Sequence, residues 1–137
     1  MANALFTSYR RDCLVRDIGA DYDTDNIKAV LVDHGTDTPV PATDDYLDDI
    51  AVGARVATSG NFANKTGVGG TADADDVTWT SVSGASCESI DIYKDTGSAA
   101  TSPLMVFIDT ATGLPVTPGG GDIIAVWDSG ANKIFTV

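Results

Sequence analysis

Positive charge, histidine, cysteine and long apolar runs are all scarce in this chain. Eight Lys and Arg stand against twenty acids, giving a formal net charge of -12 and a pI near 4.1. Binding nucleic acid means neutralising phosphates with basic side chains. Arg10, Arg11 and Arg16 lie near the start and the remaining bases are scattered, so no basic stripe exists and a nucleic-acid partner is excluded. The longest apolar runs, Leu104–Ile108 and 123–127, fall far short of the roughly 20 residues that a membrane-spanning helix needs, and no membrane partner is expected. The opening Met1-Ala2-Asn3-Ala4-Leu5 lacks a basic start leading into an apolar stretch, so no signal peptide is expected. Cys13 and Cys87 lie far apart, with no C-x-x-C pair, which excludes a disulfide-dense scaffold and a cysteine metal site. Without secretion, two buried reduced thiols are expected.

What is present describes a globular chain. At 137 residues, with 43% hydrophobic and 20% charged, the sequence suits one domain with a proper core. Glu88 is the single Glu among the acids. Asp favours caps and turns where Glu favours helices, so the acidity is expected in loops between strands.

Residues 3–18 form the one convincing helical pattern, with Leu5, Tyr9 and Cys13 at helical spacing, Asn3 as cap and Gly19 at the stop. From Gly19 onward, short apolar runs alternate with turn chemistry. Strands are predicted at 27–33, 54–58, 62–66, 77–82, 87–94, 104–109, 123–127 and 133–137. Alternation is clearest in Ile90-Asp91-Ile92-Tyr93-Lys94 and Asp76-Val77-Thr78-Trp79-Thr80, each with an apolar and a polar face, while Leu104–Ile108 reads as covered on both faces. Pro39-Val40-Pro41 reads as a spacer before a short helix at 42–50 capped by Thr43, and Asp128 to Asn132 as a hairpin turn between the last two strands. The expected fold is mainly β: an antiparallel β-sandwich, with a jelly roll as one form, comprising an N-terminal helix or arm over 1–18 and a sandwich domain over 19–137.

Several short motifs invite chemistry and fail on context. Asp95-Thr96-Gly97 and Asp128-Ser129-Gly130 match the aspartic-protease triplet, but the spacing leaves no room for two lobes and both fall at turns. Asp21, Asp23 and Asp25 open like a calcium loop, yet Asn26 and Val32 occupy the positions that need Gly and Glu, leaving only a nonstandard calcium site. Asp44, Asp45, Asp48 and Asp49 set like charges on one face of the expected helix, which reads as a solvated surface or a site for a cation or basic partner. His34 is the sole histidine; neighbouring Asp33 would point to the opposite face of a strand, and no nucleophile elbow exists. Asn64-Lys65-Thr66-Gly67 lacks the glycines of a phosphate loop, and its glycosylation triplet is idle without secretion. Trp79, Tyr93 and Trp127 could be sugar-stacking platforms, but the alternation places Trp79 and Trp127 in phase with core residues. No catalytic residue, resident metal or cofactor is assigned.

The words Asp-Asp-Val-Thr-Trp (75–79), Ser-Gly-Ala-Ser (83–86), Tyr-Lys-Asp-Thr-Gly (93–97), Ala-Thr-Ser-Pro-Leu (100–104), Phe-Ile-Asp-Thr-Ala-Thr-Gly-Leu-Pro-Val-Thr-Pro (107–118), Gly-Gly-Asp-Ile (120–123) and Ala-Asn-Lys-Ile-Phe (131–135) carry a likeness, joined upstream by 25–32 and 56–59. In these words the chain resembles a family of small structural proteins of tailed bacteriophages, of the kind that decorate or cement the capsid as auxiliary head proteins. The resemblance implies no enzyme and no active site. It implies a virion component assembled in the host bacterial cytoplasm, with the major capsid protein as partner and like copies as oligomer mates or symmetric neighbours. The negative charge would keep such a protein on the outside of the head, away from packaged DNA. Arm residues Leu5, Phe6, Tyr9, Arg10 and Arg11 are the expected capsid contacts, the other reading being an amphipathic helix that covers its own sandwich. A tail, neck or fibre component is the alternative within this class, and a surface carbohydrate-binding sandwich the alternative outside it.

Overall fold

A computed structural model describes residues 2–137. Its centre is a five-stranded antiparallel sheet of β1 (Ala4–Leu5), β2 (Ile27–Val32), β3 (Arg55–Thr58), β6 (Ser89–Lys94) and β7 (Leu104–Ile108), ordered β1-β7-β6-β2-β3, with Ile and Val recurring along its inner strands. The middle strands β2, β6 and β7 are buried on both faces, as the unbroken run Leu104–Ile108 predicts. One face gathers Leu31, Ile90 and Ile108; the other carries Val30, Asp91 and Phe107, which lie side by side in register. The hairpin from β6 to β7 passes through Asp95-Thr96-Gly97, where the Asp95 carboxylate accepts the Gly97 N–H at 3.0 Å.

Two short ribbons form the second layer. β5 (Val77–Trp79) pairs with β8 (Ile123–Ala125), and β4 (Thr71–Ala72) with β9 (Phe135–Thr136). Trp79 fastens this layer to the first: its ring is buried, and its indole N–H donates to the Ala29 carbonyl of β2 at 3.2 Å. The result is a mainly β, antiparallel sandwich whose strands divide five, two and two rather than into the two comparable sheets of a jelly roll.

Three local expectations are corrected. The turn after β8 does not close a hairpin, because β8 finds its partner in β5 while the chain, turning at Lys133 with φ 52°, carries β9 to β4. Residues 62–66 make no strand: Asn64 adopts φ 53°, and only Thr66 bridges to Asp73. Residues 42–50 hold just a 3₁₀ turn, Leu47–Asp49, since Asp44 accepts the Val40 N–H and Asp49 those of Asp45 and Tyr46, competing with a longer helix.

The N-terminal helix is shorter than its pattern. Helix α1 spans Thr7–Val15 and ends where Arg16 takes the left-handed conformation. Asn3 is not its cap; the Asn3 amide instead accepts the N–H groups of Asp109 and Thr110 and donates to the Thr110 carbonyl. Phe6 and Tyr9 are buried, with Phe6 edge-on to Phe107 and Tyr9 edge-on to Phe135, so this segment and the sandwich share one core. Among the described residues no helix is long and apolar enough to cross a membrane.

Candidate functional site

The one histidine, half-buried, reaches a buried polar pair. β6 presents Ser89 and Asp91 on the face that also carries Phe107, on which the His34 ring stacks with centroids 5.9 Å apart. His34 Nε2 lies 2.9 Å from Ser89 Oγ, which donates to Asp91 Oδ1 at 2.7 Å. Asp91 is fully buried, and its Oδ2 has no hydrogen-bond partner. Burial pushes its carboxyl up to about 8, with the charges of Asp44 and Asp109 adding to the rise and the Ser89 hydroxyl opposing it. The polar face read into Ile90-Asp91-Ile92 is thus inside the protein. The order is His–Ser–Asp, with the hydroxyl rather than the imidazole touching the carboxylate, and Ser89 is sealed from solvent. In a hydrolase triad the imidazole must bridge the two and the hydroxyl must reach substrate, so this chain is no such triad.

The remaining acids chiefly build loops. Asp12, buried at the end of α1, accepts the N–H groups of Ile18, Gly19 and Ala20 at 2.7 to 2.9 Å and orders the exit from the helix. Asp21 accepts from Asp23 and Thr24, and Asp25 from Asp21 while pairing with Lys94 at 3.0 Å. Asp23 is exposed. Among the described residues no group of three or more His, Cys, Asp or Glu is placed to hold a metal ion. Asp95 pairs with Lys28 at 2.6 Å, and Asp128 accepts the Gly130 N–H, so the two protease-like triplets serve separate turns. Cys87 is buried, as expected, but Cys13 is exposed, because Asp12 rather than Cys13 takes the inward position on α1; both thiols are free.

Of the expected arm contacts, Phe6 and Tyr9 sit in the chain's own core and Leu5 is half-buried in β1, while Arg10 and Arg11 are exposed. Leu14 and Val15 are exposed beside them.

The feature that sequence reading missed is at the other end of the chain. From Asp109 to Val137 every residue is at least partly exposed, although the stretch contains Leu114, Ile123, Ile124, Val126, Trp127 and Phe135. These apolar groups border a cleft of about 910 Å³ between the layers, floored by Leu31, Ile90, Val106 and Ile108 of the large sheet. Trp127 stands at it half-buried, its indole N–H on the Asp75 carbonyl; Trp79 and Tyr93 are buried and present no open platform. The signal lay in the unequal number of strands available to the two layers, which sequence alone does not assign to sheets. A scan of protein-family models and a search of curated proteins return no match for this chain.

Proposed function

We propose that this chain is a virion structural protein of a tailed bacteriophage, a cement protein that binds the outer head surface and stabilises contacts between major capsid subunits. The observation that carries this reading is the incompletely covered second layer over residues 109–137, an apolar surface at an open cleft in a strongly acidic protein. Contiguous exposed apolar surface marks an interaction site, and burying it against a neighbour supplies the binding energy. The formal charge of -12 favours the outside of a DNA-filled shell. The phage-like words in the sequence supply the identity of the partner.

Quantitative mass spectrometry of purified particles tests this reading. A copy number comparable to that of the major capsid protein is expected. A handful of copies would move the protein to the neck, tail or fibre, and its absence from particles would overturn the virion role.

A further inference from the structure

We propose that the cleft is a strand-acceptor site: it takes an extended segment from a neighbouring virion protein, with alternate apolar residues and basic residues at its ends, which pairs with the free edge of β8 and completes the second layer. The inference rests on the virion role proposed above and names what that role's contact is made of.

Three observations carry it. The first is the missing partner. Among the described residues β8 pairs with β5 alone and β9 with β4 alone, so each ribbon leaves an edge strand without a ladder partner. Exposed edges accept strands unless they are blunted by charge, proline or a bulge, and 123–127 carries neither a charge nor a proline. The second is the space. Both β8 and β9 border the cleft, so side chains alternating inward from an added strand would meet the partly exposed Leu114, Ile123 and Phe135 that line it together with Ile90 and Ile108. The third is charge. Asp122 and Asp128 bracket β8 at the cleft, and the one base lining it among the described residues, Lys133, lies 3.3 Å from Asp73. A second copy of this chain would bring the same acids and a further charge of -12, whereas a segment with flanking Lys or Arg is complementary.

The test uses the full chain and a short synthetic peptide alternating valine and threonine between flanking lysines, with tryptophan emission as readout. Saturable binding is expected, and a scrambled peptide of the same composition should bind at least about tenfold more weakly. Methylating the peptide's backbone nitrogens in one alternate register should abolish binding by removing main-chain donors, a control that needs no protein variant. Ala125→Trp, which fills the cleft, should weaken binding by about tenfold, while Val52→Lys, exposed and outside the cleft lining, should leave it unchanged. No binding, or equal binding of alternating, scrambled and methylated peptides, would overturn the strand-acceptor proposal. The virion role would then still stand or fall on the particle copy number, and absence from particles alongside peptide binding would break the link between the two.

Discussion

Ser89 and Asp91 stand two residues apart on one face of β6, and the Ser89 hydroxyl donates to Asp91 Oδ1 at 2.7 Å in a setting closed to solvent. That single bond leaves the other carboxylate oxygen without a partner. An ionised carboxylate so placed is costly, and protonation is the response that burial enforces. His34 Nε2, 2.9 Å from Ser89 Oγ, extends this contact toward the surface.

Asp91 should therefore make stability fall with rising pH. Its carboxyl titrates at about 8 in the fold, against about 3.9 in an unfolded chain. The raised value favours the fold fully below the unfolded value, and the benefit is lost progressively until pH passes the folded one. Asp91→Asn removes this term. Urea titrations across pH 5 to 8 should show the parent losing up to about 1.4 kcal/mol per pH unit relative to the variant. Parallel pH profiles would refute it.

Asp12→Ala should destabilise by about 2–3 kcal/mol, because one buried carboxylate satisfies three backbone N–H groups after α1. Asp12→Asn should recover part of that. Thermal or urea unfolding gives the comparison, and a loss under about 0.5 kcal/mol would contradict the role.

Asp95 behaves oppositely to Asp91. The Lys28 ammonium and the Gly97 N–H hold its carboxyl below the usual range. Its contribution is present above the unfolded value and disappears as pH falls through the folded one. Asp95→Asn should cost about 1 kcal/mol near neutrality and nothing in strong acid. A loss that persists in strong acid would count against the ion pair.

On the arm, Phe6→Ala should cost about 3–5 kcal/mol, since the ring is fully buried against Phe107. Arg10→Glu with Arg11→Glu should lower the melting temperature by only a few degrees, because both side chains are exposed and the one ion pair lost, Arg11 with Asp17 at 3.2 Å, is open to solvent. Particle occupancy of that double variant then reads out contacts made by the exposed face of α1; full occupancy would remove those two residues from the interface.

The central strands were legible because apolar runs such as Ile27–Val32 stand between turn signals, and the unbroken run Leu104–Ile108 must be covered on both faces. Trp79 was legible as core from its phase with Val77. Pairing was not: whether β8 meets β5 or β9 depends on contacts between distant segments that periodicity does not encode. Asp91 was misread as outward because alternation assumes one wet face, and β6 has none. Asn3 was misread as a helix cap because Asn suits that position locally, while tertiary bonds to 109 and 110 hold it elsewhere. The His34–Ser89–Asp91 chain spans residues brought together only by the sheet.

The Asn3 amide also governs how the start of the chain can move. β1 is just two residues long, too short to fix its own alignment on β7, yet it is pinned at both ends: by the Asn3 side chain on 109 and 110, and by the Phe6 and Thr7 N–H groups on the carbonyls of Met105 and Pro41. Sliding by one residue would break every one of these bonds and turn Phe6 out of the core. The segment can then leave only as a whole, so its amides should exchange with deuterium together, at a single rate, rather than fraying inward from Asn3.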